Sequence, residues 1–111
     1  MARILDGIRI VDFTQGHMGS YGTMLLADFG AEVIKIEDPR TGGDVLRNSF
    51  PKNKKGSAYH AYMNRGKKSV CIDRTSEAGQ QLIMELIKTC ANPSWPAKWK
   101  SGAWAMEGRK R

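Results

Sequence analysis

The hydrophobic and polar positions near the start of the chain follow the order expected for a strand, a helix and a second strand. A β-branched run that includes Ile8, Ile10 and Val11 predicts a strand over 8–13, and a second run predicts one over 32–37. A helix of about ten residues with short links would join them, which is the connection that a right-handed parallel βαβ unit requires. The opening of the chain therefore predicts an α/β fold.

The connecting helix is expected to follow a glycine-rich stretch over 15–22. Ser20 is a candidate acceptor for the amides that open this helix, and an apolar stripe extends the predicted helix to Phe29. Gly30 then stands where a residue of left-handed conformation ends many helices.

Residues 38–56 predict a long surface loop, because they contain two prolines, several turn-forming Gly and Asn residues and little periodicity. Loops of this length are often functional, so this one is a candidate ligand-facing element. Residues 57–63 predict a short helix that carries Tyr59 and Tyr62.

A third strand is predicted over 68–73, and the clearest helical pattern of the chain follows it. Thr75 is the candidate N-cap, Glu77 lies in the positive first turn, and one face carries Ala78, Leu82, Ile83, Leu86, Ile87 and Cys90. Such a helix normally crosses over to another parallel strand, and none is predicted here. The fold class is therefore an incomplete Rossmann-like parallel sheet of about three strands with crossover helices.

The composition changes after residue 90, so we divide the chain into an α/β part, 1–90, and a tail, 91–111. The tail holds all three tryptophans and no Val, Ile, Leu or Phe. We expect a basic, disordered tail that arose through a frameshift, and the DNA that encodes it would decide this. A natural short isoform or a remnant gene with an unrelated end is the alternative.

The chain carries 18 Lys and Arg against 11 Asp and Glu, a net charge of +7. Eight of these cations and only one acid lie between Arg47 and Arg74, which favours an anionic partner. The tyrosines and tail tryptophans could stack on bases, but no RRM, KH or helix-turn-helix spacing is present, so we do not expect nucleic acid.

Location and redox state follow from what the sequence lacks. No apolar run is long enough to span a membrane, and the first residues lack the profile of a secretion signal. The two cysteines, Cys71 and Cys90, form no CxxC pair and are interpreted as core thiols. We therefore expect a cytoplasmic protein.

Few side chains predict chemistry by themselves. The spacing Gly16-x-x-Gly19-x-x-Gly22 matches neither GxGxxG nor GxxxxGK[ST], so a tight turn that needs small residues explains at least some of these glycines. Glu37 lies about where a ribose-binding acid would, and His17 has no carboxylate partner nearby in sequence. No cluster has metal-ligand spacing, so we predict no metal.

The segment 64–69, Asn-Arg-Gly-Lys-Lys-Ser, reads as a compact phosphate-seeking cluster beside an exposed turn. A solvated charged face is the other interpretation.

Four segments taken in order resemble the opening of the family III CoA-transferases, which also include formyl-CoA and carnitine CoA-transferases and α-methylacyl-CoA racemases. They are 5–14, 26–37, 42–44 with Arg47, and 64–69. The resemblance covers about residues 4–90 and implies binding of coenzyme A, whose phosphates would suit the basic middle of the chain.

The resemblance also implies individual site residues. His17 and Met18 match a pair that contacts CoA near the reacting thioester. Asp38 stands where some members use arginine for the nucleotide end, with Arg40 as the neighbouring candidate. Lys67 and Lys68 belong to a basic motif that frames the site, and the segment against the adenine is Ile72, Asp73, Arg74 and Thr75. On this interpretation the glycine-rich stretch 15–22, the glycine turn, and the segment 64–69 line one pocket.

Family transferases attack an acyl-CoA thioester with an aspartate carboxylate and pass CoA to a carboxylic acid. The resemblance places that aspartate beyond residue 111, so Asp12, Asp28 and Asp73 are scaffold positions and we expect no turnover from this chain alone. Family members form interlocked homodimers, which we do not expect this chain to form properly. A racemase fragment and a small basic module that binds anions or nucleic acid are the alternatives.

Overall fold

The computed structural model describes residues 2–90 and, further along, the backbone of two short strands. The first 48 residues form strand β1 (Arg9–Asp12), helix α1 (Met18–Asp28) and strand β2 (Glu32–Glu37). Two short 3-10 helices follow, at Pro39–Thr41 and Val45–Asn48. The later part has two helices, α2 (Ala58–Met63) and α3 (Glu77–Cys90). Its strands are β3 (Lys52–Asn53), β4 (Gly56–Ser57), β5 (Lys67–Cys71), β6 (Ala97–Lys100) and β7 (Ala103–Met106).

Strands β1, β2 and β5 form a three-stranded parallel sheet with β2 in the middle. The register pairs Ile10 with Val33 and Val33 with Lys67. The predicted α/β fold with a three-stranded parallel sheet is therefore confirmed. No helix among the described residues is long and apolar enough to cross a membrane.

The two faces of the sheet differ in chemistry because successive side chains point to opposite sides of a strand. One face is apolar and packs Ile34, Ile36 and Ile72 against Ile83 of α3. The other face is apolar only near the start of the strands, where Val33 packs with Ala27 and Ala31. Towards the ends of the strands this second face carries buried charged groups, Asp12, Lys35 and Glu37. We call it the polar face.

Helix α1 begins two residues earlier than Ser20, with His17 at the N-cap and no side-chain cap. Ser20 is fully buried inside the helix, and its hydroxyl accepts a hydrogen bond from the Lys35 ammonium at 3.1 Å. The prediction that Ser20 caps the helix is therefore wrong, because a buried cation uses that oxygen. Gly30 does adopt a positive φ of 111° after the helix end, as expected.

Helix α3 is capped by Ser76, one residue after the predicted Thr75, since the Ser76 hydroxyl accepts from the Gly79 amide at 3.0 Å. Gly79 and Ile83 are the buried residues of this helix, whereas Ala78 and Leu82 are exposed. The apolar face is therefore rotated from the predicted one. The reason is a close approach: a Cβ on Gly79 would lie 1.8 Å from the Asp73 carbonyl oxygen.

Three further expectations need correction. Residues 38–56 are more regular than a surface loop, because they form the two 3-10 helices and most of the β3–β4 hairpin. The third strand spans Lys67–Cys71 instead of 68–73. Cys71 is exposed rather than a core thiol, because β5 lies at the edge of the sheet, while Cys90 is half-buried.

Within the tail the structure describes only β6 and β7, which pair antiparallel, with Trp99 opposite Trp104. Residue 1 and residues 91–96, 101–102 and 107–111 lie outside the described residues. The predicted boundary at residue 90, the disordered tail and its origin in a frameshift stay predictions.

The close approach of α3 predicts opposite effects for two helical glycines. Gly79→Ala should lower the free energy of unfolding by about 2 kcal/mol or more, because the added methyl group collides with backbone. Gly22→Ala in α1 should raise the free energy of unfolding by about 0.5–1 kcal/mol, because an added Cβ would meet nothing within 4 Å beyond its own turn of helix and alanine is the better helix former. Urea unfolding of both variants measures the difference, and equal effects would contradict the described packing.

Candidate functional site

The segments that follow β1, β2 and β5 meet at one edge of the sheet, because parallel strands end on the same side. The Ile72 amide donates to the Glu37 carbonyl at 3.0 Å, which holds the last two segments together. Eight of the ten predicted site residues lie at this carboxyl edge: His17, Met18, Asp38, Arg40, Ile72, Asp73, Arg74 and Thr75.

Asp38 and Arg40 form one unit just after β2. The Asp38 carboxylate accepts from the Arg40 backbone amide at 2.9 Å and from its guanidinium at 2.7 Å. These hydrogen bonds lower the pKa of Asp38 to about 2. Asp38 is buried and Arg40 half exposed, so Asp38 orients Arg40, and the guanidinium is the group that a ligand can reach.

The segment after β5 is bound to the same unit. Arg40 Nε lies 3.5 Å from Asp73 Oδ1, and that oxygen also accepts from the Thr75 amide at 2.9 Å and the Thr75 hydroxyl at 2.7 Å. The hydrogen bonds from Thr75 lower the pKa of Asp73. The Ile72 side chain is buried in the core, whereas Arg74 is exposed and its guanidinium has no hydrogen-bond partner among residues 2–90.

The glycine turn between β1 and α1 forms the other part of this edge. His17 and Met18 are both exposed there, Met18 by 90%. His17 Nδ1 is hydrogen-bonded to the Tyr59 hydroxyl, and the two rings are 4.9 Å apart between centroids. No side chain caps α1, so the amides of Met18 and Gly19 at its start have no side-chain acceptor.

Only two of the three glycines in this turn are required by its geometry. Gly16 has a positive φ of 73°, and a Cβ on Gly19 would lie 2.6 Å from the Thr14 side chain. Gly22 meets nothing within 4 Å and lies inside α1. Gly19 also lies inside α1, so the turn between β1 and α1 ends at His17.

Beneath the turn, Lys35 is the centre of a buried hydrogen-bond network. Its ammonium is paired with the Asp44 carboxylate and also donates to Ser20 Oγ and to Asn64 Oδ1, the latter at 2.8 Å. The side chains of Lys35 and Asp44 are 2% and 0% exposed, so the two charges neutralise each other away from water. Burial disfavours ionisation of Asp44, but the hydrogen bonds from Lys35 and from the Leu46 amide outweigh it and lower its pKa.

A second buried pair lies next to the first. Lys67 Nζ donates to Asp12 Oδ2 at 3.0 Å, to the Ser20 carbonyl at 3.0 Å and to Asn64 Oδ1 at 3.1 Å. Burial lowers the pKa of Lys67, although its pairing with Asp12 opposes this. Asn64 thus offers one oxygen to two ammonium groups and joins the two pairs.

Glu37 takes part in the same polar face. Its carboxylate accepts from the Asp44 amide and from Arg47 Nε, both at 2.8 Å. The hydrogen bonds from Arg47, which outweigh burial, lower the pKa of Glu37 to about 2. Glu37 is therefore an anchor for the segment 42–47, and its carboxylate is not open to a ribose.

The cations of segment 64–69, which its composition suggested as a compact phosphate-seeking cluster, are each paired with an acid. Lys67 is buried against Asp12, Arg65 pairs with Asp28 at 2.6 Å, and Lys68 pairs with Glu32 at 2.5 Å. Lys67 and Lys68 begin β5, so their backbone lies at the amino end of this strand, but the Lys67 ammonium reaches Asp12 and the Ser20 carbonyl beneath the glycine turn. A contact of Lys68 with CoA stays a prediction.

Sequence reasoning missed Lys35, Asp44 and Tyr59 as residues that support the site. A signal for Lys35 was present, because a lysine in the middle of the otherwise apolar run Val33–Ile36 of a central strand must find a buried partner. Asp44 belongs to the segment 42–44 that carries the family resemblance and Tyr59 to the predicted helix 57–63, but no local pattern assigned either residue a partner. Among the described residues no group of three or more His, Cys, Asp or Glu could hold a metal ion.

The fold is therefore an α/β domain whose parallel sheet carries, at its carboxyl edge, the uncapped start of α1 and the exposed residues Arg40 and Arg74. A family model described as CoA-transferase family III matches residues 5–91. The chain belongs to this family.

Two curated relatives illustrate the similarity. Formyl-CoA:oxalate CoA-transferase of Rhodopseudomonas palustris strain BisA53 is 42% identical over 91 residues, which cover 81% of this chain and 21% of the relative. A Mycobacterium tuberculosis protein named "Probable fatty acyl-CoA transferase Rv3272" is 42% identical over 91 residues, 79% of this chain and 23% of its own. The chain thus spans about a fifth of the length of these relatives.

Solved structures agree in fold. The crystal structure of Rv3272 matches 79% of this chain and 23% of its own with a TM-score of 0.69 and 42% identity. A CAIB/BAIF family protein from Brucella suis matches 78% of this chain and 24% of its own with a TM-score of 0.70 and 33% identity.

The different surroundings of two neighbouring lysines give a prediction. Lys67→Met should lower the free energy of unfolding by about 3–5 kcal/mol, because it leaves the buried Asp12 charge without its cation. Lys68→Met should change it by less than about 1 kcal/mol, because the Lys68–Glu32 pair is solvent-exposed. Chemical denaturation checks both, and a Lys67→Met protein as stable as Lys68→Met would contradict the buried pair.

Proposed function

We propose that this chain is the CoA-binding amino-terminal part of an enzyme that transfers CoA between an acyl-CoA thioester and a carboxylic acid. Family membership supports the use of a CoA thioester. The observation that carries the proposal is the meeting of the glycine turn with the ends of β2 and β5 at one sheet edge.

The carboxyl edge offers different groups to the nucleotide end and to the thioester end of CoA. On the β2–β5 side, Arg40 and Arg74 offer guanidinium groups to the phosphates of the nucleotide. On the β1 side, the uncapped start of α1 and the exposed His17 and Met18 offer a place for the thioester end. This assignment also leaves Asp38 and Asp73 as the carboxylates that orient Arg40.

We assign binding and orientation, and no bond-making step, to the residues of this chain. Its carboxylates at the site are engaged: Asp12, Asp38 and Asp44 each accept two or more hydrogen bonds. A nucleophilic carboxylate that attacks the thioester would therefore come from the part of the enzyme that the relatives have in addition. The acyl-CoA and the acceptor carboxylic acid are the partners that this proposal requires.

The ion pairs of segment 64–69 weigh against a general polyanion-binding module. Its three cations are each neutralised by an acid of the same chain, Asp28, Asp12 or Glu32. A strand of nucleic acid would meet cations that already have an acidic partner, whereas the carboxyl edge carries Arg74, whose guanidinium has no hydrogen-bond partner among residues 2–90. The proposal therefore expects CoA to bind in preference to RNA.

The proposal predicts that Arg74 matters for the nucleotide end of the ligand only. Arg74→Ala should weaken CoA binding about tenfold, the size expected for one charge-assisted hydrogen bond to phosphate, and should leave pantetheine binding unchanged. Isothermal titration calorimetry of the full chain with both ligands measures this.

Lys88→Ala is the matched control, because it removes one positive charge on the exposed side of α3, where Lys88 pairs with Glu85. It should bind CoA as the unaltered chain does. If the unaltered chain binds no CoA, or if Arg74→Ala weakens pantetheine and CoA alike, the proposed placement of the ligand is wrong.

A further inference from the structure

Asp44 occupies a position from which it can control the shape of the glycine turn. It is fully buried and follows Gly43, whose φ of 91° and close approach to Glu37 only glycine accommodates. Its amide donates to Glu37 Oε1 at 2.8 Å, and its Oδ1 accepts from the Leu46 amide at 2.8 Å. The backbone around Asp44 is therefore fixed to the end of β2.

From this fixed position the carboxylate reaches the other side of the site. Asp44 Oδ1 accepts a hydrogen bond from the Gly16 amide at 3.3 Å, 28 residues away in sequence. Gly16 directly precedes His17 at the mouth of the turn. The start of the turn is held independently by Asp12 Oδ1, which accepts from the Thr14 amide at 2.8 Å. Asp12 and Asp44 thus hold the two ends of the short segment 14–16.

The partner of the second Asp44 oxygen explains how a charged carboxylate can be buried at this position. Asp44 Oδ2 is paired with the Lys35 ammonium, which is itself bound to Ser20 inside α1. The same cation therefore neutralises Asp44 and fastens the helix that follows the turn. A neutral acceptor would hold Gly16 equally well if the Lys35 charge were also removed.

We infer that Asp44 is a positioning residue that holds the Gly16 amide, and with it His17 and Met18, in the conformation that binds the thioester end of CoA. This inference rests on the proposed function, since it gives the fixed turn a ligand. Asp44 contacts no ligand in this proposal. It acts through Gly16, and its effect should fall on the pantetheine end of CoA.

Two double variants separate the acceptor from the buried charge. Lys35→Met with Asp44→Asn removes the ion pair but keeps an oxygen for Gly16, whereas Lys35→Met with Asp44→Leu removes both and keeps nearly the same side-chain size. In the Leu variant the Gly16 amide should exchange its hydrogen at least tenfold faster than in the unaltered chain. The Leu variant should also bind pantetheine and CoA about tenfold more weakly than the unaltered chain. Compared with the Leu variant, the Asn variant should show slower exchange at Gly16 and tighter pantetheine binding, because both variants lack the Lys35 ammonium and differ only in the oxygen offered to Gly16.

Equal exchange rates at Gly16 in the two double variants would overturn the positioning role, and so would faster exchange with unchanged pantetheine affinity. If the unaltered chain binds neither ligand, the proposed function fails, and the Gly16 exchange rates then decide separately whether Asp44 fixes the turn.

If circular dichroism shows that the Leu variant does not fold, a second measurement on the unaltered chain decides. This is the hydrogen-bond scalar coupling between Gly16 N and the Asp44 carboxylate carbon: its presence supports the role and its absence contradicts it.

Discussion

The ammonium group of Lys35 lies in the middle of the central strand, away from water, and needs oxygen atoms around it. Three separate parts of the chain supply them: Ser20 from α1, Asp44 from the segment after β2, and Asn64 from the end of α2. Because one cation gathers these elements, the polar face of the sheet has a defined structure in place of an apolar core. The carboxyl edge depends on this arrangement, since the glycine turn and the segment 42–47 are both fastened to it.

The two faces of the sheet thus have separate tasks. The apolar face packs against α3 and provides hydrophobic stabilisation through Ile34, Ile36, Ile72 and Ile83. The polar face provides few apolar contacts near the site but holds backbone amides and guanidinium groups in fixed places. Fixed donors bind an anionic ligand at lower entropic cost than mobile ones. This division explains why charged residues that are costly to bury are found directly beneath a candidate binding edge.

Local patterns were sufficient for the order of the sheet strands and longer helices, and the fold then places most of the predicted site residues at one edge of the sheet. The β-branched runs predicted β1 and β2, and the parallel arrangement then placed the residues after β2 and β5 side by side. Local patterns failed where a side chain serves a distant partner. Ser20 looked like a helix cap because hydroxyl groups at helix starts usually are, but its partner Lys35 lies 15 residues away. Lys67 looked like a free cation, but its acid, Asp12, lies 55 residues earlier. Only the fold brings such pairs together.

The central claim is that CoA binds at the carboxyl edge of the sheet and not at the basic segment 64–69. Titration of the isotope-labelled chain with CoA, followed by the backbone amide signals in NMR spectra, tests it most directly. The largest shifts should occur in three groups of amides, at 16–20, 38–43 and 72–76, with small changes at 64–69. Largest shifts at 64–69, or none at any residue at saturating CoA, would contradict the claim.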